Sequence, residues 1–179
     1  MKSTRFPLDK LKGLNTPFYL YDLSLLRETI HSIKDCVKEH NNWHVHYAVK
    51  ANANPKILSE ISKAEFGLDC VSGGEIKKGL EGGFNSQKIV FAGVGKNDWE
   101  IKLALENNIH SFNVESIPEL EVINELSQSM GKTARIAFRI NPNVDAHTHE
   151  KITTGLNENK FGIALEDLLP TIQRCKQLN

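Results

Sequence analysis

The residue in this chain best placed to do chemistry is Lys50, in Tyr47-Ala48-Val49-Lys50-Ala51-Asn52. It ends a short apolar stretch and directly precedes Ala51-Asn52-Ala53-Asn54-Pro55, which reads as a helix start. An amine at the C-terminal end of a strand, facing a crowded interior, is desolvated and favours its neutral form. A neutral amine there can form a Schiff base with an aldehyde cofactor. Taken alone, a lysine at a strand–loop junction is more often a solvated side chain. The weight therefore falls on the rest of the pattern.

Other candidates are weaker. Period two puts His44, His46, Ala48 and Lys50 on one strand face and Val45, Tyr47 and Val49 on the other. His44 and His46 could pair as metal ligands, but no third ligand accompanies them and no metal site is expected. His147 and His149 flank Thr148 in a polar stretch and read as surface histidines. Gly93-Val94-Gly95-Lys96-Asn97 has the glycines of a phosphate loop but fails its spacing, and Asn97 stands where Ser or Thr is required. It reads as a strand-to-helix turn. No GxGxxG follows any strand, which counts against a dinucleotide enzyme.

The elements that must position Lys50 alternate. Candidate strands are His44–Val49, Phe66–Val71, Lys88–Ala92, Ser111–Val114 and Ala134–Ile140. Helical patterns with start signals lie between them. Asn54-Pro55 offers an N-cap with proline at the first helical position. Ser72-Gly73-Gly74-Glu75 and Ser116-Ile117-Pro118-Glu119 match the capping box. Leu120, Ile123 and Leu126 line one helix face, and Gly131 stands where a C-cap belongs. Such alternation implies parallel strands with right-handed crossovers, as an open doubly wound sheet or a closed eight-stranded barrel. In a barrel the bulky set on the first strand faces the helices, and Lys50 points inward at the C-terminal mouth, where such folds carry chemistry. Thr16–Asp22 reads as an earlier strand outside this rhythm, before an amphipathic stretch from Ser24 to about Lys38. Asn141–Gly162 is long and polar, and would overhang the mouth of a barrel.

The bulk properties are those of a soluble globular protein. Lys plus Arg equals Asp plus Glu at 22 each, so no net field draws the 179-residue chain to nucleic acid or an anionic membrane. No apolar run approaches the ~20 residues of a membrane span, and the first residues are not a secretory signal. Cys36, Cys70 and Cys175 fit reduced thiols, and the expected location is the cytoplasm.

Five motifs in order carry a resemblance. They are Tyr47-Ala48-Val49-Lys50-Ala51-Asn52, Leu68-Asp69-Cys70-Val71-Ser72-Gly73-Gly74-Glu75, Phe138-Arg139-Ile140-Asn141-Pro142-Asn143, His149-Glu150-Lys151-Ile152-Thr153-Thr154-Gly155 and Asn159-Lys160-Phe161-Gly162. Together they resemble the diaminopimelate decarboxylases, of the alanine-racemase-like (fold type III) class of pyridoxal phosphate enzymes. The resemblance implies an α/β fold: a (β/α)8 TIM-type barrel, present here as about five of eight strands, and a second β-domain. Residues 1–22 would give that second domain its Phe18–Tyr21 strand, and residues 23–179 would be the N-terminal part of the barrel. Lys50 corresponds to the lysine bound to pyridoxal 5'-phosphate, with Ala48 leaving room below the ring. Asp69 corresponds to an aspartate that orients the lysine region, and Arg139 to an arginine near the ring. Glu75 and Ser72 match positions near the site, although a capping box explains them equally well. Lys151, Thr154 and Gly155 look like the lid over the substrate. Lys160 resembles a lysine that pairs with an acidic residue of the partner subunit in a homodimer with shared active sites.

The activity implied is decarboxylation of meso-2,6-diaminopimelate to lysine. The family pattern continues with a ring-stacking histidine, a glycine-rich phosphate site, a glutamate for the pyridine nitrogen and a cysteine from the neighbouring subunit. None has a match before Asn179, so the chain reads as the N-terminal part of a longer enzyme, inactive alone. Alternatives are a carboxynorspermidine, arginine or ornithine decarboxylase, an amino acid racemase, or a non-enzymatic pyridoxal-phosphate-binding barrel protein. A nucleotide-dependent enzyme on an open sheet lacks its fingerprint.

Overall fold

The computed structural model describes residues 8–142 and 161–178. The chain divides into two compact units, Met1–Trp43 and His44–Asn179. In the first, helix α1 (Leu23–Val37) starts at Asp22, whose carboxylate accepts the N–H groups of Ser24 and Leu25 at 2.8 and 3.2 Å. Residues 16–22 form no sheet ladder among the described residues. A strand expected there needs a sheet to pair with, and Phe18, Tyr19, Leu20 and Tyr21 are all exposed.

The second unit alternates strand and helix: β1 (His46–Ala48), α2 (Pro55–Lys63), β2 (Gly67–Cys70), α3 (Gly73–Glu81), β3 (Ile89–Phe91), α4 (Asp98–Glu106), β4 (Ser111–Val114), α5 (Ile117–Ser129) and β5 (Ile136–Phe138). The strands form one five-stranded sheet in the order β1-β2-β3-β4-β5, every pair parallel. Sequential order with helical crossovers is the arrangement of part of a (β/α)8 barrel rather than of a doubly wound sheet, whose order reverses. Two short strands follow, β6 (Ile140–Asn141) and β7 (Ile163–Ala164), paired in parallel, and then α6 (Leu168–Gln177).

The start signals act locally as the sequence implies. Asn54 Oδ1 accepts the Lys56 N–H at 3.0 Å, with Pro55 in the first turn of α2. Ser72 and Ser116 hydroxyls accept the N–H of Glu75 and Glu119. The returning carboxylates, however, take the N–H one residue earlier than a capping box requires: Glu75 holds Val71 and Glu119 holds Glu115. Gly131 follows α5 with φ +60°, a left-handed position suited to glycine.

Register separates two faces. Leu68, Cys70, Ile89, Phe91, Phe112 and Val114 are buried on one, while Ile57, Leu58, Ile61, Ile76, Ile101, Leu120 and Ile123 of the helices are buried too. That is the core. The opposite face carries small and polar residues: His46, Ala48, Gly67, Asp69, Val90, Ser111, Asn113 and Ala137. A strand residue on the first face cannot be enlarged cheaply, and at Gly67 on the second face an added side chain would run into the His46 ring and the Lys88 carbonyl. No helix among the described residues is long and apolar enough to cross a membrane.

Candidate active site

β1 ends at Ala48, and the backbone then tightens into a single 3-10 turn, Val49–Ala51. The turn is braced at three points. Val49 is 1% exposed, the Asn52 N–H donates to the Val49 carbonyl at 3.1 Å, and the Tyr47 hydroxyl donates to the Asn52 carbonyl at 3.0 Å. Lys50 sits on this turn and is exposed, with no hydrogen bond or ion pair among the described residues. This corrects the expectation of a crowded interior. Strand alternation stops two residues before Lys50, so the turn rather than the strand pleat carries its side chain.

Ala48 lies beside Asp69 in the β1–β2 register. The Asp69 Oδ1 atom is buried and has no hydrogen-bond partner. A buried carboxylate oxygen left unpaired is costly, and native proteins keep such groups where something else completes them. On the reverse face the neighbouring Cys70 thiol is fully buried, and burial, with Glu75 and Asp69 adding to it, pushes it up to about 12. It is no nucleophile.

Arg139 stands at the C-terminal end of β5, its N–H still joined to the Val114 carbonyl at 2.9 Å, on the same face as Asp69 and Ala48 by register. Its Nη1 donates to both Glu115 oxygens, at 3.2 and 3.3 Å, and its guanidinium carbon lies 4.9 Å from the Phe161 ring centre. Gly162 has φ +85°, and a side chain there would meet the Arg139 carbonyl at 3.0 Å. Arg139 and Gly162, 23 positions apart in sequence, are thus packed together by a glycine that permits close backbone approach. Lys50 after β1, Asp69 on β2 and Arg139 after β5 lie towards the C-terminal edge of the sheet, and no hydrogen bond or ion pair joins any two of them. Lys151, Thr154, Gly155 and Lys160 lie outside the described residues.

Sequence reasoning missed the network beneath this edge. Glu100 accepts the Gly73 N–H at 2.6 Å and the Asn97 N–H at 2.9 Å. Glu115, 5% exposed, accepts the Gly93 N–H at 2.8 Å. Lys96, in the turn after β3, donates to the Gly93 and Asn113 carbonyls at 2.7 and 2.9 Å and to Glu119 Oε1 at 2.5 Å. The Gly73–Glu100, Gly93–Glu115, Lys96–Asn113 and Lys96–Glu119 bonds latch one strand-to-helix turn to the next. Among the described residues no group of three or more His, Cys, Asp or Glu is placed to hold a metal. A separate cavity of about 200 Å³, lined by Leu120, Ile123, Ile136, Cys175 and Leu178, lies between α5, β5 and α6 on the helix side.

Comparison with known proteins gives this edge its context. Residues 23–179 match the family model described as pyridoxal-dependent decarboxylase, pyridoxal binding domain. A diaminopimelate decarboxylase of Bacteroides thetaiotaomicron is 60% identical over 163 residues, which are 91% of this chain and 42% of that protein. The crystal structure of diaminopimelate decarboxylase from Helicobacter pylori complexed with L-lysine superposes with a TM-score of 0.85 at 44% identity, over 96% of this chain and 43% of that one. For the M. jannaschii diaminopimelate decarboxylase the TM-score is 0.86 at 37% identity, over 97% and 42%. The chain thus spans less than half the length of the relatives it matches. With the match running from α1 through the described strands, the chain belongs to the pyridoxal-dependent decarboxylase family, through its pyridoxal-binding domain.

Proposed function

We propose that this chain carries the lysine-bearing part of a site for pyridoxal 5'-phosphate-dependent decarboxylation of meso-2,6-diaminopimelate to L-lysine. The observation that carries the reading is the orphaned Asp69 oxygen beside Ala48, one strand from the braced turn that presents Lys50. The residues present fit the cofactor: a free amine, an unsatisfied carboxylate and a floor without bulk. Bound pyridoxal phosphate supplies a conjugated ring able to accept the bonding electrons of the carboxylate that leaves as carbon dioxide.

The chain's own residues have simpler tasks. Lys50 holds the cofactor through its amine, on a turn whose backbone is fixed by Val49, Tyr47 and Asn52. Asp69 offers its unpaired oxygen to a donor of the bound group, and Ala48 leaves the space. Arg139 directs N–H donors to an anionic oxygen. Lys151, Thr154 and Gly155 cover the substrate, Lys160 meets the partner subunit of a homodimer, and Phe18–Tyr21 adds a strand to a second β-domain.

The test uses two proteins: the chain itself, and the chain joined to the remaining part of the Bacteroides relative. Both are titrated with cofactor and then given diaminopimelate, ornithine, arginine and carboxynorspermidine. Cofactor absorbance should appear in both and vanish in Lys50→Ala, with lysine produced by the joined protein alone. Absorbance that persists in Lys50→Ala, or turnover of another amino acid in place of diaminopimelate, would end this reading.

A further inference from the structure

We propose that Glu115 is a positioning residue for Arg139, setting the direction in which that guanidinium meets an anionic oxygen of the bound ligand. The proposal rests on the reading that a pyridoxal phosphate site lies at this edge, and it assigns a role to a residue outside the five motifs. Glu115 and Arg139 do not form the usual two-nitrogen fork of an arginine–carboxylate pair. Both carboxylate oxygens converge on the single Nη1, at 3.2 and 3.3 Å. Nε and Nη2 are left without an acceptor among the described residues.

The ion pair grips one edge of the guanidinium, and the Phe161 ring at 4.9 Å covers one side. Together they fix both the swivel and the tilt of a side chain that otherwise loses about 2 kcal/mol of rotamer freedom when immobilised. The unused donors stay in the guanidinium plane, directed away from Glu115, on a residue whose side chain is still 40% exposed. A planar, always charged donor pair of this kind suits a carboxylate, phenolate or phosphate oxygen.

Glu115 is itself immobile. Its side chain is 1% exposed, its Oε1 takes the Gly93 N–H at 2.8 Å, and its own N–H donates to Glu119, which pairs with buried Lys96. The orientation of Arg139 is thus referred back to the turns after β3 and β4, not to surface side chains. Glu115 acts only through Arg139.

Glu115→Gln keeps an oxygen for the Gly93 N–H but removes the charge that holds Nη1. On the full chain, titration with pyridoxal 5'-phosphate should show affinity about tenfold weaker in Glu115→Gln, the scale typical of residues that orient a ligating group. Arg139→Ala should weaken it at least as much. The double variant should be no weaker than Arg139→Ala alone, because Glu115 has nothing left to position. Without cofactor, phenylglyoxal should modify Arg139 several-fold faster in Glu115→Gln, read by peptide mass. Penalties that multiply in the double variant, or equal modification rates, overturn the proposal. If the unaltered chain takes up no cofactor, the functional reading falls and takes this one with it. If it binds and Glu115→Gln binds equally well, only the role of Glu115 falls.

Discussion

Replacing Lys96 by Met tests whether the latches between turns hold the sheet edge together. The Lys96 side chain is 1% exposed and its ammonium has three acceptors, at 2.5, 2.7 and 2.9 Å, one for each proton. Methionine fills nearly the same volume but strands Glu119 and two carbonyls. Removing one partner of a buried, hydrogen-bonded pair costs about 3–5 kcal/mol. Glu119 is 12% exposed and keeps the Glu115 N–H, so the lower end, about 3 kcal/mol, is expected. With a urea m-value of roughly 2 kcal/mol/M, the midpoint should fall by about 1.5 M. Lys63 is the control, since its pair with Glu60 leaves it 68% exposed, and Lys63→Met should cost less than about 1 kcal/mol. Adding Glu119→Gln to Lys96→Met should recover part of the loss, because the stranded carboxylate becomes neutral. Urea unfolding followed by circular dichroism reads all four proteins. If Lys96→Met costs no more than Lys63→Met, the latch reasoning is wrong.

Other expectations concern the two faces of the sheet. Gly79→Ala drives a methyl into Leu68 and should destabilise by about 1–3 kcal/mol, whereas Gly74→Ala, with only the Ser72 hydroxyl 3.7 Å away, should be neutral or stabilising; thermal melts separate them. Burial first, then the charge of His110, hold the His46 imidazole below its ordinary 6.5, while a backbone hydrogen bond at His44 and the Asp69 charge oppose this. The unfolded chain then takes up the proton first, so stability is full above about pH 6.5 and declines as pH falls towards the lower folded value. His46→Gln should flatten that decline, and an unchanged slope in urea titrations across this range would show His46 is not its source. Iodoacetamide should label exposed Cys36 in the native chain and spare Cys70, with equal labelling by mass spectrometry counting against the buried core.

Much of the fold was legible because its signals are local. The strand Ser111–Val114 coincides with its expected bounds, and the caps at Asn54, Ser72 and Ser116 accept the bonds their residue types suggest. The last strand broke into β5 and β6 around Arg139, although the Arg139 N–H keeps its ladder partner. The surroundings of Lys50 were misjudged because alternation assumes that a strand continues, and nothing in Val49-Lys50-Ala51 announces a 3-10 turn. The latches were illegible for another reason. Gly73–Glu100, Gly93–Glu115, Lys96–Glu119 and Arg139–Glu115 join residues 27, 22, 23 and 24 positions apart. Each spans about one strand–helix repeat, so it exists only once neighbouring repeats lie side by side. Lys96 was read correctly as part of a turn, yet a turn residue carries no mark of being buried.

The short β6–β7 ladder has a consequence for how this scaffold tolerates change. Ile140 pairs with Ile163, and the Ile163 N–H reaches back to the Arg139 carbonyl at 2.8 Å, so the chain departs and returns at the same point. Whatever is spliced between those two anchors adds its closure entropy only logarithmically with length. Length between the two anchors can therefore change while the strands keep their registry, with Gly162 as the fixed rivet.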